Sequence, residues 1–353
     1  MYRLIRSLLP CILWFAMHWN AWAITIPTVL VGNPGNLNDP MTGHGGVANV
    51  YRIGTTEVNV GQYTAFLNAV ADTDTYELYN PSMAADLNIA GIARTGASGS
   101  YSYSVIGSPN KPVTYVSWGD AARFSNWLHN GQPTGPQGSG TTETGAYTLN
   151  GATSSEAYFA TVRTPEAKWS IPSENEWYKA AYHQPVAQGG DADNYWTYPT
   201  RTNSIPYSDQ PPGALAIQNN VANYFNNDSV ANGYNDGFAV TGSTAQIANQ
   251  NYLTDGGAYT SAASFYGTFD QGGNVFEWND AFESGLYRAI RGGYWRYDYT
   301  YMQSSNQLGG EPNYESFDTG FRVFGIASVP EPSTLALAAL GALGLLIAAR
   351  CKR

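Results

Sequence analysis

Three short helices, each opened by its own start signal and separated by long stretches rich in glycine, serine and threonine, constrain the fold of this chain more than any other feature. Asn59 is a good N-cap with Gln62 three residues on, and Val60, Tyr63, Phe66, Leu67 and Val70 then fall on one helical face. Ser117 stands three before Asp120 and leads a second stripe of Ala121, Phe124 and Leu128. Ser173 and Glu176 form the third signal, ahead of Trp177, Ala180 and Ala181. Each helix therefore buries one side only. The segments VYRIGTTEV (Val50 to Val58) and KPVTYVSW (Lys111 to Trp118) read as strands before the first two helices, and loops fill 131–151 and 184–218. Charged residues are only 12% of the chain, which speaks against a helical bundle. The expected class is α+β, a single domain with much irregular structure.

Both ends are of another kind. Residues 1–23 carry Arg3 and Arg6, an apolar run and a small-x-small site at Ala21-Trp22-Ala23, the pattern of a secretory signal peptide. Residues 327–353 carry Pro330-Glu331-Pro332, an apolar run from Leu335 to Ala349, and basic Arg350, Lys352 and Arg353. That run is short for a bilayer span, although Ser333 and Thr334 extend it and the positive end would stay inside. The tripartite end resembles the PEP-CTERM sorting signal of Gram-negative bacteria, in which a membrane protease recognises the Pro-Glu-Pro end and removes the helix. A plain C-terminal anchor is the alternative. Either way, residues 24–326 form the functional domain.

Removal of both ends removes Cys11 and Cys351, the only two cysteines, so the mature domain would have no disulfide and no thiol nucleophile. It would also keep 12 Lys+Arg against 26 Asp+Glu, a net charge of −14 that repels nucleic acid and anionic lipid. His44, His129 and His183 are far apart in sequence, which argues against a histidine-rich iron site.

The stretch FDQGGNVFEWND, Phe269 to Asp280, sets Glu277 between Phe276 and Trp278. An extended chain puts the two aromatics on one face and the acid on the other. If that second face is also covered, the charge needs a partner. One candidate is a hard cation, held with Asp270 and with carbonyls of the flexible Gly272-Gly273-Asn274 turn. The other reading is a solvated glutamate beside core aromatics.

Six ordered blocks carry a family resemblance: TTEVNVGQYTAFL, KPVTYVSWGDAARFSNWL, IPSENEWYKAAY, GGNVFEWND, RAIRGGYW and GFRV. From about Val50 to Val323 the chain resembles the formylglycine-generating enzyme (sulfatase-modifying factor) family. The resemblance implies a domain related to the C-type lectin fold, with little regular secondary structure and with bound calcium. Carried over position by position, it implies one calcium loop with Asp270 and Glu277 side chains and Gly273 and Val275 carbonyls. It implies a second with Asn223 and Asp236 side chains and Tyr224 and Phe238 carbonyls. Oxygen-only sets of this kind are what calcium prefers, whereas an Asx-turn is the structural alternative for Asn223 and Asp236.

The same resemblance argues against copper. The oxidising members hold it with two cysteines spaced five apart shortly after Arg-Gly-Gly, and use it with oxygen to convert a substrate cysteine to formylglycine. Counted from Arg291-Gly292-Gly293, those positions are Tyr297 and Met302, a phenol and a thioether. The relatives' Arg-Leu-Pro-Thr is Ser170-Ile171-Pro172-Ser173 here, so that arginine is lost or supplied from elsewhere.

Around the missing cysteines lie Tyr294, Trp295, Tyr297, Tyr299, Tyr301 and Asn306. If extended, the segment puts Tyr297, Tyr299 and Tyr301 on one face, and tyrosines with short polar residues suit an adaptable ligand-binding surface. The competing reading is that they cover the core, with Trp295 packed beside Trp278. Two functions stay open: a non-catalytic, calcium-stabilised module binding an extracellular carbohydrate, peptide or protein, and a periplasmic enzyme. The enzyme would be a thiol-free oxidase, or a hydrolase using acids such as Asp298, Glu311 and Glu315.

Overall fold

The computed structural model describes residues 23–283, 285 and 287–327. The leader, both cysteines, Pro330-Glu331-Pro332 and the run from Leu335 to Ala349 lie outside the described residues. Among those that are described, no helix is long and apolar enough to cross a membrane.

All three helix-start signals form full capping boxes. Asn59 and Gln62 open the helix Val60–Val70, Ser117 and Asp120 open Trp118–His129, and Ser173 and Glu176 open Glu174–Tyr182. In each, the N-cap side chain accepts from the third backbone N–H and the third side chain accepts from the N-cap backbone. The apolar stripes are buried, Val60, Tyr63, Phe66, Leu67 and Val70 on the first helix and Ala121, Phe124 and Leu128 on the second. Only the first helix buries one side alone. Trp118 to Leu128 and all of the third helix except Asn175 are buried as well, because sheet and loops cover their polar faces. The first two helices meet through aromatic rings, Phe66 on Phe124 at 5.3 Å, and Phe124 in turn meets Phe321 at 5.4 Å. Each such pair adds about 0.5–1.5 kcal/mol beyond the area it buries.

Two four-stranded sheets frame these helices. The first runs Thr28–Val31, Tyr51–Gly54, Phe324–Ile326, Trp169–Ser170, all antiparallel, so the two ends of the domain are neighbours. The second runs Leu308–Gly310, Arg288–Arg291, Phe276–Phe282, Thr319–Phe321, with the last pair parallel. The polypeptide therefore goes directly from the second sheet at Phe321 to the first at Phe324, and Arg322 is in the link.

One expected strand is absent. Lys111 to Trp118 holds only an isolated bridge between Pro112 and Asn59. Pro112 has no N–H to give a ladder, and Tyr115 adopts a positive φ of 57° that breaks the extended run. The segment is pinned instead by single bonds, Val113 N–H to the Val58 carbonyl and Tyr115 N–H to that of Ser316.

Candidate functional site

The strand Phe276–Phe282 lies inside the second sheet, and its first four residues are buried. Glu277 is 0% exposed, so the solvated reading of this acid is wrong. Its partner is Arg322, also 0% exposed, which donates through Nε to Oε2 and through Nη2 to Oε1, both at 2.5 Å. Trp177 Nε1 on the third helix donates to Oε2 at 2.7 Å. The other guanidinium N–H groups reach the carbonyls of Gly54 and Phe269, each at 3.0 Å. A two-toothed ion pair is thus the hub joining both sheets and a helix.

Two further acids share this hub. Glu57 is 2% exposed; its Oε1 accepts from Asn274 Nδ2 at 3.3 Å, and its Oε2 has no partner among the described residues. Asp270 accepts from the Gly257 N–H at 2.6 Å. Burial first, then repulsion from Asp270 and Glu277, pushes the Glu57 carboxyl well above the usual range. Burial raises Asp270 to about 6, against the opposing pull of the Gly257 N–H and Arg322. Three carboxylates therefore face one guanidinium, which leaves an excess of negative charge in a poorly solvated place. A buried oxygen without a partner, beside surplus carboxylate, suits a hard cation. No three Asp, Glu, His or Cys side chains among the described residues could hold an ion by themselves, so main-chain carbonyls must complete any such set.

The glycine turn packs tightly against the Asn223 loop. Gly273 has φ +86°, and a Cβ there would stand 2.4 Å from the Asn223 carbonyl oxygen, so only glycine lets the two loops approach. Asn274 then joins them: its N–H donates to the Asn223 carbonyl at 2.7 Å, and its side-chain oxygen accepts from Asn223 Nδ2 at 3.1 Å. Val275 is buried beside this turn. Sequence reasoning missed Glu57 and Arg322 as members of the site, although each lay in a quoted block, and it gave Asn274 only a backbone role.

The residues of the second expected loop lie around Ser208 and Asn274. The carbonyls of Tyr224 and Gly237 both accept from Ser208 Oγ, at 2.6 and 3.1 Å, and Asp236 and Phe238 line a neighbouring cavity. The Asn223 amide turns instead to Asn274 and to the Tyr252 carbonyl. Residues 225–227 and 236–238 pair as a small antiparallel ribbon in which Asp236 lies opposite Asn227.

At the positions of the missing cysteines the structure is filled. Met302 is buried among Tyr198, Ala222 and Tyr224, and a Cβ on Gly293 would stand 3.1 Å from its Cγ. Tyr297 packs on Tyr294 at 4.5 Å and on Tyr301 at 4.6 Å. The expected row of three phenols does not form, because Tyr299–Met302 is a turn of 3-10 helix capped by Asp298 rather than a strand. Tyr299 consequently joins the Met302 group, while Tyr297 keeps 42% of its surface exposed. Trp295 is in the core, stacked on Tyr252 at 4.6 Å, and it groups with Phe238 rather than with Trp278. Asn306 serves structure through its carbonyl, which accepts from Arg291 Nη1 at 2.6 Å. Arg291 itself pairs with Glu174 at 2.5 Å and so ties the 304–306 loop to the third helix. A guanidinium does stand at the Ser170 to Ser173 turn: Arg163 bonds Ser170 Oγ at 3.0 Å and both oxygens of Glu176.

Comparison with known proteins agrees with this architecture. Residues 30–325 match the model of the sulfatase-modifying factor enzyme 1-like domain, and the chain belongs to that family. Residues 328–353 match the PEP-CTERM protein-sorting motif, which marks an exported protein handled by a membrane-associated sorting system. No curated protein matches the chain significantly. Among solved structures, Treponema denticola variable protein 1 is 17% identical, with 88% of this chain and 98% of that one covered and a TM-score of 0.47. CarF is 18% identical over 86% of this chain and 99% of its own, at a TM-score of 0.45. PvdO from Pseudomonas aeruginosa is 18% identical over 86% and 92%, at 0.38.

Proposed function

We propose that this is an exported, calcium-stabilised binding domain that has given up the oxidase chemistry of its family. The observation that carries the reading is the fate of the two cysteine positions. Met302 is sealed in the core, and Tyr297 is locked into a ring cluster with Tyr294 and Tyr301. A phenol and a buried thioether offer copper(I) no thiolate, so a family-type copper centre has no ligands here. Calcium fits better, held by oxygens from Asp270 and Glu277 with Gly273 and Val275 carbonyls, and its role would be to neutralise charge. Tyr297 and its neighbours then offer a surface for an extracellular carbohydrate or protein.

The test is direct. Purified residues 24–326 incubated with a sulfatase-type cysteine peptide, with and without copper, should give no aldehyde above a no-protein control by mass spectrometry. Formylglycine in that assay would overturn the non-catalytic reading and favour a thiol-free oxidase.

The tail carries a second expectation, that the segment from Leu335 to Ala349 is a temporary anchor removed before the domain reaches the outer surface or matrix. Replacing Pro330 and Pro332 with alanine should then trap a longer, inner-membrane form in a host that has the sorting protease. Intact mass and fractionation decide it: wild-type protein that keeps Cys351 and stays in the inner membrane would show a permanent tether instead.

A further inference from the structure

On the face of the second helix's N-terminus is a cavity of about 180 Å³ lined by Tyr76, Glu77, Asp120, Tyr158, Asn313 and Glu315. Asn313 also borders a wider hollow of about 460 Å³, with Ser155, Glu156, Tyr287 and Glu311 on its walls. Five carboxylates thus line these two hollows, which share Asn313, and no lysine or arginine lines either among the described residues. Beneath it, Arg123 is fully buried and its charge is already matched by Glu143, with bonds at 2.7 and 3.2 Å.

A second observation points to an occupant. Asp120 is only 2% exposed, and both of its hydrogen bonds from the protein, from the Ser117 N–H and Oγ, go to Oδ2. Its Oδ1 takes none among the described residues, and Asp120 lines the cavity. Glu315 likewise engages one oxygen only, Oε2, with Asn80 at 2.5 Å. Burial, followed by repulsion from Asp120, holds the Glu315 carboxyl up to about 8.

We propose that this cavity receives the side-chain ammonium of a lysine on an extended segment of an extracellular protein, with the flanking residues lying in the adjoining hollow. Compact geometry favours an ammonium: three carboxylates around one small cavity suit a point charge with three rotatable donors better than a flat guanidinium. Within the small cavity itself an amino sugar is disfavoured because its ring would find no stacking platform there. Tyr158 is 3% exposed, and one face of Tyr76 is covered by the Arg123 guanidinium at 4.4 Å. The inference rests on the reading of the chain as a binding module, and it gives that module a site and a ligand chemistry.

The experiment titrates the mature domain at low ionic strength with a capped Ser-Lys-Ser-Lys-Ser peptide, followed by calorimetry and by amide shifts around the cavity. Saturable binding is expected, lost when the lysines are acetylated and weakened about tenfold or more in a Glu77→Gln, Glu315→Gln double variant. Neither replaced side chain caps a helix. The acetylation arm uses the wild-type domain alone, so it decides the matter even if the variant folds poorly. No binding, equal binding of the acetylated peptide, or binding of a chitosan oligomer in place of the peptide would each overturn the proposal. Such a failure would sink the cavity assignment alone, since the loss of oxidase chemistry is judged by the aldehyde assay.

Discussion

Replacing Arg322 with alanine is expected to destabilise the domain by about 3–5 kcal/mol, the cost of leaving a buried charge without its partner. That is a large part of the roughly 5–15 kcal/mol that holds a typical domain folded, so the variant should be poorly soluble or unfold at much lower denaturant. The reason is structural as well as electrostatic. Arg322 holds both oxygens of Glu277 and also caps the carbonyls of Gly54 and Phe269, so its loss frees acceptors in three segments together. Glu57 and Asp270 would then face Glu277 with no positive charge between them. Arg322→Lys should fall between the wild type and alanine, because an ammonium keeps the charge but cannot form the two parallel bonds. The double change Glu277→Gln, Arg322→Met should cost less than Arg322→Ala alone, since it removes both charges. Urea unfolding checks all three. An Arg322→Ala midpoint within about 0.5 kcal/mol of wild type would show that the pair is not the hub claimed for it.

The helices were legible because their signals are local: a cap, a partner three residues on and an apolar stripe all lie within a dozen residues. Glu277 was legible as an anomaly for the same reason, but its partner was not. Arg322 lies 45 residues downstream, and a covered second face appears only once the parallel pairing of Phe276–Phe282 with Thr319–Phe321 exists. Glu57 sits 217 residues from Asn274, the only side chain among the described residues that bonds its carboxylate. Short-range pattern has no access to such distances. The tyrosine segment failed differently. Alternating phenols from Tyr297 to Tyr301 imitate a strand, but Asp298 accepts from the Thr300 N–H at 2.9 Å and starts a turn, so local side-chain bonding overrode the period. Lys111 to Trp118 failed because Pro112 withholds a donor and Tyr115 turns the backbone, features that a hydrophobic pattern does not weigh.

The second large effect concerns calcium. With Glu57, Asp270 and Glu277 set against one arginine, the folded domain carries carboxylate charge that a divalent cation would neutralise and that the unfolded chain would simply solvate. At a free calcium concentration 100 times the dissociation constant, one site adds about 2.7 kcal/mol. For a domain of this size that corresponds to a melting shift of roughly 4 °C. Asp270→Asn should behave in a distinctive way: it removes one surplus charge and part of the cation set, so it should be no less stable than wild type in chelator while losing most of its response to calcium. A general loss of packing would lower stability in both conditions. The decisive measurement is therefore made on the wild-type domain, with metal content and thermal unfolding recorded in calcium and again in excess chelator. The account predicts bound calcium and a melting temperature that falls on chelation; a metal-free domain whose melting temperature is the same in both would contradict it.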